Sequence, residues 1–265
     1  PMNIDVHITC WNEEVMLPFT LEHYSSFCNR IYIYDNMSDD RTLSICKKFP
    51  KVITGSWQSR TEKGKFNDNE ARHIKYEGYK RFSKGKSDWV ILADCDELIY
   101  HPHIRKILMD YKKLGVNYPI TQGCNMVGEK VPSYFPGAKI TDLIKMGTED
   151  EPFPPDKIFR DEDAWGFSKP IIFNPELDVF LSCGSHFING EKSNPSEFVF
   201  SEHAELKLLH YKYLSEDYAV TRYKQLGVRL SKYNLDREYG LGWLAQENKI
   251  RDQHRAYLSL STQII

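Results

Sequence analysis

Four short β-rich runs, separated by three helix-patterned stretches, fill the first hundred residues, and few folds accept that rhythm. "IDVHITC" (4–10), "RIYIYD" (30–35), "KVITGS" (51–56) and "DWVILAD" (88–94) carry the β-branched and aromatic residues of strands. Between them, "NEEVMLPFTLEHYSSF" (12–27), "SDDRTLSICKKF" (38–49) and "NDNEARHIKYEGYKRF" (67–82) space their apolar residues as helices do. Ser38 is the expected N-cap of the second helix, and Ala71, Ile74, Tyr79 and Phe82 are apolar positions of the third. The fourth β-rich run is apolar nearly throughout, as a central parallel strand covered on both faces must be. This alternation with short connections predicts an α/β fold, a mostly parallel, Rossmann-like sheet flanked by helices. In such sheets ligands bind beyond the carboxyl ends of the strands.

After residue 128 the texture changes to a stretch rich in Pro, Gly and charge, with aromatics interspersed, and a connection that long is usually functional. "IIFNP" and "LDVFLSC" read as two further strands, and "YLSEDYAVTRYKQLGVRLSKY" (213–233) as a helix that packs its apolar face and leaves its charges solvated. No repeat, low-complexity tract or linker divides the chain, so one domain is expected over residues 1–265.

Composition narrows the function. A net charge of -2 gives no electrostatic footprint for nucleic acid. The six cysteines lie scattered without metal-ligand spacing, which suits reduced, buried thiols and a cytoplasmic setting. The first residues lack the basic and apolar regions of a secretory leader, and no run reaches the ~18 apolar residues of a membrane span. Any membrane contact is therefore expected to be peripheral, at the inner face. Gly-x-Gly-x-x-Gly, P-loop, Gly-x-Ser-x-Gly and His-Glu-x-x-His motifs are all missing from the sequence.

Polar residues gather instead at strand ends: Thr9 through Asn12 after the first, Asp35-Asn36 after the second, and Asp94-Cys95-Asp96 after the fourth. One acidic residue after a strand is commonly a cap or turn former. Several along one sheet edge, two of them carboxylates at i and i+2, suit a divalent cation and a phosphate-bearing ligand. Magnesium or manganese takes hard oxygen ligands, often one or two carboxylates plus substrate phosphates. Cys95, between the two aspartates, is expected to point the other way, into the fold.

The ordered set "ITCWNEE", "YIYDNMSDD" and "WVILADCDEL" resembles the nucleotide-binding half of GT-A-fold glycosyltransferases, closest to family 2-like bacterial enzymes. "SKPIIFNPE", "GSHFING" and "LKLLHYKYLSEDYAVTRY" extend the likeness over most of the chain, weakest across 128–165. The resemblance implies a nucleotide-binding half over 1–100 and an irregular acceptor-side half with C-terminal helices over 101–265. It implies that Thr9 and Asp35 contact base or ribose, that Asp94 faces the ribose, and that Asp96 takes a Mn2+ or Mg2+ ion, with Asp94 as a companion ligand. Asn69 and Arg72 fall where related enzymes contact the base. Asn12 is a further donor-site candidate, although Asn12 and Glu13 equally suit a structural role, bonding across to a neighbouring loop. His210 in "LLHYKY" follows an apolar run, so its expected strand-end position resembles that of a third metal ligand, or else it is a partly buried histidine bonded to a backbone carbonyl, with Lys212 nearby as a diphosphate partner.

An inverting transfer needs a base for the acceptor hydroxyl. Asp163, in "RDEDAWGF" beside Trp165 and Phe167, is the first candidate, and His186 in "CGSHFING" the second. Glu149, Asp150, Glu151, Asp161 and Glu162 share that irregular region. The expected activity is metal-dependent transfer of a sugar from a nucleotide-sugar donor, a UDP-sugar, to a saccharide or lipid-linked acceptor in surface polysaccharide synthesis. A sugar nucleotidyltransferase is the alternative. The acidic, glycine-free "CWNEEVMLP" after the first strand is a poor cradle for a triphosphate.

Overall fold

The computed structural model describes residues 2–152, 155, 158–159, 166–189 and 193–265. In chain order the elements begin β1 (Ile4–Cys10), α1 (Leu17–Ser25), β2 (Arg30–Asp35), α2 (Thr42–Cys46), β3 (Val52–Ser56), α3 (Asp68–Phe82) and β4 (Trp89–Asp94). There follow β5 (Glu97–Tyr100), α4 (Ile104–Lys113), β6 (Thr121–Val127), α5 (Ile140–Leu143), β7 (Met146–Glu149) and β8 (Ile172–Phe173). The chain closes with β9 (Leu206–Tyr213), α6 (Glu216–Gly227), α7 (Lys232–Asp236), α8 (Glu247–Leu260) and β10 (Thr262–Gln263).

Two five-stranded sheets result. The first runs β3-β2-β1-β4-β8, parallel except for the antiparallel edge strand β8. The expected mixed α/β fold with a mostly parallel sheet is thus present, and all four early strands fall where the sequence placed them. In the strand order, β1 lies between β2 and β4, so the crossover after β3 passes to the opposite side of β1. The carboxyl ends of β1 and β4 flank this switch point, where an open α/β sheet leaves its crevice. The second sheet, β10-β7-β6-β9-β5, is mixed and had no counterpart in the sequence reading.

Asp94-Cys95-Asp96 is the turn between the sheets: β4 ends at Asp94 in the first, and β5 opens at Glu97 in the second. The Asp94 N–H donates to Glu97 Oε2 at 2.8 Å, and the Asp96 carbonyl accepts from Tyr211 N–H on β9 at 2.8 Å. Cys95 is buried beneath the turn, as its alternation predicted. All six cysteines are free thiols. No helix among the described residues is long and apolar enough to cross a membrane.

Several boundaries differ from expectation, each for a local reason. Helix α1 begins at Leu17 rather than near Asn12, because Pro18 fits only a first turn. The preceding amides of Glu13 and Glu14 bond instead to Thr42 Oγ1 (2.8 Å) and Asp40 Oδ2 (3.1 Å). Ser38 caps no helix: its hydroxyl accepts from Asn12 N–H at 2.9 Å, and α2 starts only at Thr42, whose amide bonds Asp40 Oδ1. "LDVFLSC" forms no strand beyond an isolated bridge from Leu181 to Ile188, since Val179 N–H is taken by the Tyr79 hydroxyl of α3 (2.8 Å). The helix read over 213–233 is β9, then α6, then α7. Its charges are not all solvated, because Arg222 is held inside.

Candidate active site

A cleft of about 620 Å3 opens at the switch point. Thr9 and Cys10 from β1, Asn36 after β2 and the Asp94-Cys95-Asp96 turn line its floor, so the polar strand ends do converge. Helix α3 supplies one wall through Asp68, Arg72 and Lys75. Gly78 lets α3 sit this close, since a Cβ there would collide with the Tyr34 hydroxyl. The other wall is the segment 166–169, with His186, His210 and Lys212 beyond it. That segment crosses β6 at Gly123, where a Cβ would strike the Phe167 backbone, and Gly123 N–H bonds Ser168 Oγ at 2.8 Å.

Charge organises the floor. Asp94 Oδ1 accepts from Lys75 Nζ at 3.0 Å, and Asp94 Oδ2 stands 3.9 Å from Lys169 Nζ. Lys169 also lies 2.6 Å from Glu97 Oε1, a close ion pair without good hydrogen-bond angles. Burial disfavours the Asp94 carboxylate, but Lys75 and Lys169 outweigh it and hold the group below the ordinary carboxylate range. Asp96 faces another way: its Oδ2 is 3.4 Å from His210 Nε2. Burial again opposes ionisation, and His210, Lys169 and Lys212 overcome it, so Asp96 is a carboxylate at every ordinary pH.

His210 is not at a strand end. It sits within β9, paired with Glu97 of β5, with its ring stacked on Phe167 at 4.3 Å. Among the described residues its buried Nδ1 has no hydrogen-bond partner, and its ring is held by packing on Phe167. Asp96 and His210 therefore bring one oxygen and one nitrogen side by side in the cleft. Their 3.4 Å separation is near the ~3 Å expected between adjacent ligands of an octahedral ion with ligand distances of roughly 2.1 Å. The pair fits an ion that draws its remaining ligands from phosphate and water. No group of three or more His, Cys, Asp or Glu able to hold a metal is found among the described residues, because Asp94 is turned to the lysines.

The remaining expected residues are spread more widely. Asp35 is buried and accepts from Ser38 N–H at 3.1 Å, closing its own turn. Asn12, in a left-handed conformation (φ 47°), trades hydrogen bonds with Asp39, so it bridges to the neighbouring loop and lines a smaller notch outside the main cleft. Asn69 Oδ1 accepts from both Arg72 Nε (2.9 Å) and Nη2 (2.7 Å), and it is Arg72 that reaches the cleft, over the Phe180 ring. Lys212 lies over Tyr223, 4.4 Å from the ring centroid. His186 donates its Nδ1–H to the Gly166 carbonyl (3.0 Å), which leaves Nε2 as an acceptor. Burial, then Lys169, push its pKa down to about 3, so the ring is neutral. Asp163, with Asp161, Glu162 and Trp165, lies outside the described residues. Glu149 is paired with Lys207 (2.8 Å), and Asp150 accepts from Phe167 N–H (2.7 Å), so both are engaged in structure.

Four contributors escaped the sequence reading. Arg222 of α6 bonds the carbonyls of Trp11 (2.9 Å) and Asn12 (3.1 Å) and pairs with Glu13, pinning the turn after β1. Arg229 stacks on Trp11, 3.9 Å from the ring centroid, and bonds Asn36 Oδ1 at 2.7 Å. Lys169 gives no sequence signal between Ser168 and Pro170. Lys75 does: Ala71, Lys75 and Tyr79 fall at i, i+4 and i+8, so a lysine occupies the buried stripe of α3.

No family model and no curated protein matches the chain. Among solved structures, it is similar to S. aureus TarS, with 14% identity and a TM-score of 0.42 over 96% of this chain and 42% of that one. It is also similar to S. aureus TarS 1-349 in complex with UDP-GlcNAc, with 12% identity and a TM-score of 0.40 over 96% of this chain and 71% of that one. The 4-diphosphocytidyl-2C-methyl-D-erythritol synthase of Anaerococcus prevotii aligns at 13% identity and a TM-score of 0.33, over 66% and 71% of the two chains. This chain therefore spans less than half the length of the first of these.

Proposed function

We propose that this protein is a GT-A-type glycosyltransferase, moving a sugar from a nucleotide-sugar, a UDP-sugar, to a hydroxyl of a saccharide or lipid-linked acceptor. One observation carries the reading: at the switch point of a parallel sheet, a carboxylate–imidazole pair and several cations face one cleft. A departing nucleoside diphosphate needs that arrangement. Thr9 and Asp94 are assigned to ribose and base, with Arg72 on the α3 wall. Asp96 and His210 would hold Mn2+ or Mg2+, which supplies Lewis-acid neutralisation of the diphosphate. Lys212 adds a positive charge where the leaving group gains a negative one.

On the acceptor side, the His186 Nε2 lone pair orients the incoming hydroxyl. Because its imidazolium is disfavoured, His186 suits the role of hydrogen-bond acceptor better than that of proton store, and the proton is assigned to Asp163. The test is thermal stabilisation across a panel of nucleotides and nucleotide-sugars, with and without Mn2+. Stabilisation by one class of nucleoside diphosphate that needs Mn2+, and is lost in Asp96→Asn, is the expected outcome. A shift that survives Asp96→Asn removes the metal assignment, and stabilisation by triphosphates alone replaces the reading with a nucleotidyltransferase.

A further inference from the structure

A second, smaller apolar cluster lies where the end of β9 meets α6 and α8, and Val127, Tyr213, Ala219, Val220, Tyr223 and Ile250 are its buried members. Ala219, Val220 and Tyr223 fall at helical spacing, so they form one stripe of α6. The Tyr223 hydroxyl bonds that of Tyr213 at 3.0 Å, and the Tyr213 ring rests 5.0 Å from the ring of Tyr257 on α8. Buried and bonded at its tip, the Tyr223 ring has one place to be. Over it stands the Lys212 ammonium, 4.4 Å from the centroid. The ladder slips here, with Asn125 opposing His210 but Val127 opposing Tyr213, and such bulges re-aim a side chain. Lys212 lines the cleft, yet among the described residues no carboxylate forms an ion pair with it, whereas Asp94 answers Lys75 and Glu97 answers Lys169.

We propose that Tyr223 is a positioning residue for Lys212: its ring holds the ammonium at the cleft without neutralising it. A carboxylate in that place would also hold the lysine, but it would cancel the charge that a departing diphosphate needs. An aromatic face attracts an ammonium through its quadrupole and carries no net charge. The second apolar cluster thereby acquires a function, since α8, through Tyr257 and Tyr213, keeps the Tyr223 ring in place. The inference rests on the nucleotide-sugar reading above and adds to it how one cation is aimed.

The experiment measures UDP affinity of the full chain by calorimetry, with Mn2+ present, as a double-mutant cycle. Tyr223→Leu should weaken UDP binding about fivefold. Lys212→Met should weaken it about tenfold, and the double variant no further than Lys212→Met alone. Tyr223→Phe, which keeps the ring, should stay within about twofold of wild type. A tyrosine that served only packing would give losses that multiply in the double variant, which overturns the inference while leaving the function standing. Should Tyr223→Leu fail to fold, phenylalanine of increasing ring fluorination at position 223 decides, because fluorine drains the quadrupole at nearly constant shape. UDP binding should weaken stepwise along that series, and an affinity that does not move also overturns the inference. A wild-type chain that does not bind UDP instead removes the nucleotide-sugar reading itself.

Discussion

The two halves of the chain bring opposite charges to one cleft. Glu13, Asp68, Asp94 and Asp96 all come from the first hundred residues, whereas Lys169, Lys212, Arg222 and Arg229 come from the remainder, with His186 and His210. Arg72 and Lys75 on α3, and Glu238 near the carboxyl end, are the exceptions among the described lining residues. Carboxylates crowded at a sheet edge repel one another and raise each other's pKa. Burial, with Asp94 as neighbour, pushes Asp68 up to about 6. The second half supplies the compensation, so the regular sheet defines where the site is and the irregular half makes it electrostatically tolerable.

The strongest way to break this comparison is to remove the acid that the lysines leave open. Asp96→Asn should lower the rate of nucleoside diphosphate release by about 10^2- to 10^3-fold, the scale of losing one charge-stabilising group in a buried site. Asp94→Asn, already neutralised by Lys75 and Lys169, should act mainly on donor KM. Equal kcat losses in the two variants would show that the aspartates are not divided as the geometry divides them.

Next in size is the clasp between the halves. Arg222→Met leaves Glu13 buried and two carbonyls without their donor, and should cost about 3 kcal/mol in urea unfolding. Combining it with Glu13→Gln should recover part of that loss, because the unpaired acid is gone. Additive losses in the double variant would mean that the pair does not act as a unit.

How far the site was legible follows the same division. The first sheet could be read because β1, β2 and β4 are short, largely apolar runs with a polar end, and parallel order turns those ends into one edge. The second sheet could not: β5 is only four residues long, and β6, "TQGCNMV", carries Gln, Gly and Asn in place of the alternation that marks a strand. His210 was found as a residue but misplaced in its strand, since "LKLLHYKY" continues three residues past it. Lys75 was missed although helical spacing with Ala71 and Tyr79 carries a signal for it. Lys169 and Arg222 carry none, because their partners lie 72 or more residues away in sequence, and long-range ion pairs leave no periodic trace.

A pH series sharpens the comparison from the acidic side. Burial, against Arg222, pushes Glu13 up to about 7 from an ordinary value of 4.5. A carboxyl whose pKa is raised on folding contributes stability below its unfolded pKa and loses it as pH rises through the folded one. Glu13→Gln has no such loss, so its stability relative to wild type should rise by about 2 kcal/mol between pH 5 and pH 8. A difference constant across that range would mean that Glu13 is ionised in the folded protein throughout, and that Arg222 alone sustains it.

The smallest effect belongs to a pair of the same chemistry placed away from the cleft. Lys207 and Glu149 are both in the second half, 2.8 Å apart, with side chains 29% and 41% exposed. Water already solvates both charges, and holding two long side chains in register costs entropy that offsets the attraction. Lys207→Met should therefore change unfolding stability by less than about 1 kcal/mol and leave nucleotide-dependent stabilisation intact. A larger loss, or weaker nucleotide binding, would show that charge pairing supports the second half generally. The contrast between cleft and surface would then carry no special meaning for Lys169, Lys212 and Arg222.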